Sequence, residues 1–210
     1  MKIAVVAAAG KAGRKIVAEA AARGFEVTAF VRRATEIDGA AKVIVKDILA
    51  LEKSDLANFD AVVDAFGPWT PETLPLHTTT SQHLCNILNG TNVRLLIVGG
   101  AGSLYVDKEH STQLFKTPAF PADYIPTAQA QANELDELRK RNDVKWTFVS
   151  PACDFQADGA RTGKYILAGE ELTLNAAGES VISYADFALA MVDEIAGGNH
   201  IQQRISVVKA

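Results

Sequence analysis

An α/β protein with a doubly wound parallel sheet, closed by a small C-terminal lobe, is the fold class this sequence predicts. Three observations predict it. Short continuous runs of Val, Ile and Leu alternate with stretches of helical periodicity, as strands buried on both faces and their crossover helices require. A glycine-rich turn joins the first run to the first helical stretch. The alternation holds to Ser150 and changes only after it. At 210 residues the chain has the length of one domain, with about 151–210 supplying the lobe.

The elements follow in order. Ile3-Val6 reads as the first strand. Ala12, Ile16, Val17, Ala20 and Ala21 recur at helical spacing, and Gly24 is placed to end that helix. Glu26-Val31 and Lys42-Val45 read as strands two and three, and Ala61-Ala65 as strand four. Pro75 to Asn89 is helical and Gly90 stops it. Arg94-Val98 is strand five, Thr127 to Arg141 a helix, and Lys145-Val149 strand six. Beyond Ser150, Tyr165-Leu167 and Val181-Ile182 read as short strands around the polar segment Asn175-Ser180. Ser183-x-x-Asp186 is a capping-box pattern opening a helix to about Ile195, and Ile205-Val208 is the last strand. Ser103 to Pro126 has no regular pattern. A loop of that length in a compact domain is expected to be a lid or a binding loop.

Composition narrows the function. Hydrophobic residues make up 48% and charged residues 22%, the balance of an ordinary globular protein. The net charge is −4 and Lys and Arg form no run, which argues against a nucleic-acid partner. No apolar stretch reaches the roughly 18 residues of a membrane helix. Lys2 and the apolar Ile3-Ala9 imitate a signal peptide, but the run is short and the helix that follows continues the pattern. Two cysteines, Cys85 and Cys153, are too few for a disulfide framework and fit a reducing, cytoplasmic compartment.

The turn Ala7-Ala8-Ala9-Gly10-Lys11-Ala12-Gly13 carries the first chemistry. Backbone amides at a helix N-terminus, aided by the helix dipole, hold a pyrophosphate. A side chain at Gly10 would hold that group off, and Gly13 lets the helix pack close to the strand. Strand, turn and helix in this order are the context of a dinucleotide-binding Rossmann fold. The first glycine of the usual pattern is Ala7 here, which fits the turn provided its φ stays negative. At the end of strand two an acidic residue would accept from a ribose 2′-hydroxyl. Arg32 and Arg33 stand there instead and suit a 2′-phosphate, so NADP is the expected coenzyme and NAD the alternative. Asp47 and Ile48, after strand three, are expected to meet the adenine. Ala65, Phe66 and Gly67 should pass beside the ribose and nicotinamide, with Gly99, Gly100, Pro151 and Ala152 closing the crevice.

One device is missing. Alcohol and ketone dehydrogenases of the short-chain group place Tyr four residues before Lys on one helix, and the Lys lowers the phenol pKa. The residues four beyond Tyr105, Tyr124, Tyr165 and Tyr184 are Glu109, Ala128, Gly169 and Ala188. His77, His83, His110 and His200 lack metal-ligand spacing, so no metal is expected. Trp69, on the loop after strand four, is placed either to stack on a flat ligand or to cover the sheet edge.

Five segments in order resemble one known group. They are Lys2-Ile3-Ala4-Val5-Val6 with the glycine turn, Val98-Gly99-Gly100-Ala101-Gly102-Ser103-Leu104, Trp146-Thr147-Phe148-Val149-Ser150-Pro151-Ala152, Arg161-Thr162-Gly163-Lys164-Tyr165 and Ile182-Ser183-Tyr184-Ala185-Asp186-Phe187-Ala188. The chain resembles the atypical short-chain dehydrogenase/reductase proteins of the NADH-flavin reductase-like group. The resemblance implies an NADP- or NAD-binding Rossmann fold and reduction of a flavin, FMN or FAD, or a related flat acceptor. Hydride transfer to a ring that spreads its charge needs stacking and hydrogen-bond donors rather than a Tyr/Lys pair. Ser103, after strand five, and Arg161, after strand six, are the expected donors by position. A coenzyme-binding sensor without catalysis is the competing class, and a sugar-nucleotide epimerase or lyase a third. The expected partner is a small-molecule substrate, with the chain a monomer or homodimer.

Overall fold

Strand and helix boundaries follow from where apolar side chains can be buried on two sides. The structure, a computed structural model, describes residues 1–210. β1 (Lys2–Val6), α1 (Lys11–Ala22), β2 (Glu26–Val31), β3 (Lys42–Val45) and β4 (Ala61–Asp64) form the first half. α3 (Leu76–Leu88), β5 (Arg94–Val98), α4 (Ile125–Leu138) and β6 (Lys145–Ser150) form the second. Between β3 and β4 lies a one-turn helix, α2 (Lys53–Leu56), absent from the sequence pattern. Glu52 and Asp55 cap it reciprocally, each accepting from the other's backbone amide.

The sheet runs β3-β2-β1-β4-β5-β6, the dinucleotide-binding order, with every pair parallel. Beyond Ser150 come β7 (Asp154–Gln156), β8 (Tyr165–Ala168), β9 (Val181–Ser183), α5 (Tyr184–Gly197) and β10 (Gln203–Lys209). β10 joins β6 in parallel and β8 closes that edge antiparallel, so both extend the main sheet. The C-terminal lobe is correspondingly small, its own ladder being β7 paired with β9.

Successive residues of β1 face opposite layers. Ile3 and Val5 join the core beneath α1 and α5, while Ala4 and Val6 join that beneath α3 and α4. Each large apolar side chain so buried contributes about 1.5–3 kcal/mol. Ser183 accepts from the Asp186 amide and so caps α5 as its pattern predicts. The Asp186 carboxylate does not return the bond. It accepts from the amides of Thr162 and Gly163 and from the Thr162 hydroxyl, pinning the segment before β8 onto α5.

Candidate active site

Strand order reverses between β1 and β4, so the loops leaving their carboxyl ends splay apart and open a crevice there. A cavity of about 1350 Å³ runs along it. Drug-sized ligands fill roughly 300–1,000 Å³, so this volume suits a dinucleotide with a second ring beside it.

The glycine turn forms one end. Ala7, Ala9, Gly10, Lys11 and Ala12 line the cavity. Gly10 caps α1 with extended backbone and no side-chain bond, and no acidic residue occupies the first turn. The amides of Lys11, Ala12 and Gly13 have no acceptor within the protein, as the first turn of a helix leaves them. They make an anion cradle, so the residues present fit a pyrophosphate. Gly13 lies under the turn rather than on the cavity wall. A β-carbon there would stand 2.9 Å from both the Ala7 oxygen and the Ala8 Cα, which is the close helix-to-strand approach expected of it. Ala7 departs from expectation. Its φ is +56°, in the left-handed region that costs a β-carbon about 1–2 kcal/mol, so the turn is made at the expense of strain.

Arg32 and Arg33 follow β2 into the cavity, exposed and in no ion pair with a carboxylate. Thr35 lines the wall beside them. Arg14, which the sequence reading passed over, fixes this corner: its Nε donates to the Ala9 carbonyl at 3.2 Å and its Nη1 to the Glu36 carbonyl at 3.0 Å. Ala65, Phe66, Gly67, Gly99, Pro151 and Ala152 line the middle, as expected. Gly99 has no room for a side chain, since a β-carbon would meet the Phe148 ring at 2.1 Å.

Four expected residues lie elsewhere. Asp47 turns back to accept from the Leu49 amide at 2.9 Å, and Ile48 is buried in the core, so neither reaches the cavity. A short 3-10 turn directly after β3 redirects both. Ser103 is buried and accepts from Arg204 Nη1 at 2.9 Å, behind the wall. Arg161 sits in a separate shallow surface depression beside α1, paired with Glu19 at 3.1 Å. Position after a strand brought both into consideration, but packing turns both away from the crevice.

The far end is aromatic. The Ser103–Pro126 segment packs through Phe115 against Ala128 and Ala132, and presents Leu114, Phe120 and Tyr124 to the cavity. Thr127 and Gln131, four residues apart on one face of α4, line the same wall; that spacing was legible once the helix start was known. Phe155 and Tyr184, 3.8 Å apart between ring centres and tilted by 34°, close the opposite side. Trp69 is 66% exposed and lines the cavity, so it stands at the crevice mouth rather than over the sheet edge.

Beneath the Ala65–Trp69 loop is a buried polar cluster. Burial pushes the Asp64 carboxyl up to about 7, with the bond from the Phe66 amide pulling the other way. Burial, and then the nearness of Asp64, raise Glu134 well above the carboxylate range, opposed by the Ser81 hydroxyl. Burial takes His77 down to about 4. His77 Nδ1 and Glu134 Oε2 are 3.7 Å apart, too long for a hydrogen bond, and burial disfavours the charged form of each. Of the three, only His77 stood out in the sequence, and there only as a histidine without metal-ligand spacing.

The chain matches the family described as NAD(P)H-binding over residues 7–196. It is 44% identical over 210 residues to an uncharacterised Bacillus subtilis protein, YwnB, covering 99% of this chain and 98% of that one. A Streptococcus pneumoniae structure provisionally named an NADH-flavin reductase is 53% identical, with a TM-score of 0.97 and 100% of each chain covered. A Bacteroides thetaiotaomicron structure provisionally named an epimerase is 33% identical, with a TM-score of 0.85 over 99% of this chain and 96% of that one. No helix is long and apolar enough to cross a membrane. The chain thus belongs to the NAD(P)H-binding family, and with it to the atypical short-chain dehydrogenase/reductase proteins that its motifs resemble.

Proposed function

We propose that this protein is an NAD(P)H-dependent reductase that passes hydride to a flavin or a similarly flat acceptor, with NADPH as its preferred donor. The observation that carries the reading is one continuous cavity leading from an anion cradle, across the switch point of the sheet, to a pocket walled by aromatic rings. Bound reduced nicotinamide supplies the hydride. The chain's own part is positional. The first-turn amides and Lys11 would hold the pyrophosphate, and Arg32 and Arg33 the 2′-phosphate. Phe66, Phe120, Phe155 and Tyr184 would exclude water and align two flat rings, and the Gln131 amide and Thr127 hydroxyl are uncharged donors on that wall.

The absence of an acid tuned for alcohol chemistry supports the same reading. The cavity tyrosines are Tyr124 and Tyr184, and its one lysine, Lys11, belongs to the nucleotide end. Burial raises the Tyr184 phenol above its ordinary value, the opposite of activation. A reduced flavin can take its proton from solvent, whereas a carbonyl acceptor needs one delivered.

The test mixes pure protein with NADPH or NADH and FMN, FAD or riboflavin, following absorbance at the nicotinamide band. Multiple turnovers with lower KM for NADPH are expected. Saturable coenzyme binding with no turnover on any of these acceptors would overturn the reductase in favour of a coenzyme-binding sensor.

A further inference from the structure

Charge is distributed unevenly along the cavity. Three cations line it, Lys11, Arg32 and Arg33, and all three lie on the β1 and β2 side, where the glycine turn is. On the β5 and β6 side the wall is Phe120, Tyr124, Phe155 and Tyr184, with Thr127 and Gln131 as uncharged polar groups. The single charge there is the exposed carboxylate of Asp154, which accepts from the Gln156 side chain at 2.7 Å. Three cations of the surrounding segments do not line the cavity and have other partners. Arg161 is paired with Glu19, Arg204 is buried against Glu170 and Ser103, and Lys116 lies 5.5 Å from the centre of the Phe115 ring.

From this we infer that the acceptor end recognises an uncharged planar ring and gives no purchase to an anionic tail, so that unphosphorylated flavins and small quinones are used at least as well as FMN or FAD. The inference rests on the reductase reading of the same cavity and adds the acceptor's charge class to it. A bound phosphate or carboxylate draws its affinity from charge-assisted bonds to Arg or Lys, the stronger kind of hydrogen bond. With a carboxylate in their place, a phosphate meets weak repulsion, since water screens a pair of exposed like charges. Ring stacking is indifferent to the tail and remains.

The experiment compares riboflavin, FMN and menadione as acceptors at saturating NADPH. In parallel, quenching of Trp69 fluorescence measures riboflavin and FMN binding to the NADP-loaded protein. Riboflavin should match or exceed FMN in kcat/KM and in affinity, and menadione should be reduced. In Asp154→Lys the ratio of FMN to riboflavin should rise about fivefold or more, as an introduced cation supplies the missing partner. FMN preferred tenfold or more in the unmodified protein, or failure of riboflavin to bind at all, overturns the inference. Equal binding of riboflavin and FMN with no turnover supports the ring site while removing the reductase reading, so the two failures are told apart.

Discussion

Gly13→Ala sets two physical effects against each other, and their signs differ. Alanine is a better helix former than glycine by about 1 kcal/mol, so propensity alone favours the variant. Geometry opposes it. The new β-carbon would lie 2.9 Å from the Ala7 oxygen, 2.9 Å from the Ala8 Cα and 3.0 Å from the Ala8 oxygen. All three are backbone atoms of the turn leaving β1, so no side chain can swing aside. α1 must lift off the sheet by a few tenths of an ångström, against a core in which Ile16, Val17 and Ala20 are fully buried. Overpacking of this kind costs about 1–3 kcal/mol. The net loss is therefore expected at about 0–2 kcal/mol. For a chain of this size each kcal/mol moves Tm by about 2–4 °C, so thermal unfolding should hold or fall by up to about 8 °C. The first-turn amides move with the helix, and calorimetry should show NADPH binding weakened about tenfold. A Tm raised by 2–4 °C, as propensity predicts, with unchanged NADPH affinity would refute the close-packing account of this glycine.

The neighbouring Ala7→Gly should act in the opposite sense: relief of a left-handed β-carbon is worth about 1–2 kcal/mol and the added chain entropy of glycine costs about 0.5–1, so Tm should hold or rise by up to about 6 °C, while a clear fall would show that the turn is unstrained. Arg32→Ala with Arg33→Ala removes the unpaired cations after β2 and should weaken NADPH binding by about tenfold or more while leaving NADH within about threefold, as measured by calorimetry; parallel losses would deny them a 2′-phosphate. Asp64 has a folded value of about 7 against an unfolded one of about 3.9, so its stabilisation is complete below about pH 4 and is lost as pH rises through about 7. Asp64→Asn should therefore gain Tm relative to the parent between pH 5 and 8, and a constant difference would refute the buried-carboxyl account. His77 works with the other sign, its folded value being about 4, so its contribution stands above about pH 6.5 and is lost as pH falls toward 4; His77→Gln should flatten that acid limb in the same melts.

The sequence by itself determined the sheet, the winding and the small-residue turn between β1 and α1. These are local or periodic properties: a strand buried on both faces must be a continuous apolar run, and a turn that meets a phosphate must carry small residues where the chain itself says strand ends and helix begins. Arg32 and Arg33 were legible for the same reason, being tied to the end of β2 by chain connectivity alone. Tertiary packing decided the rest. Asp47, Ile48, Ser103 and Arg161 each follow the end of a strand, yet a 3-10 turn, the Arg204 guanidinium and the Glu19 carboxylate take them out of the crevice. Those partners are distant in sequence or belong to a turn that no periodicity announces. The aromatic wall was hidden likewise, because Phe120, Tyr124, Phe155 and Tyr184 come from three separate segments and converge only when the loop after β5 and the β7–β9 ladder fold over the sheet. Side-chain direction in irregular segments is set by contacts made across the fold, and a linear pattern carries no record of them.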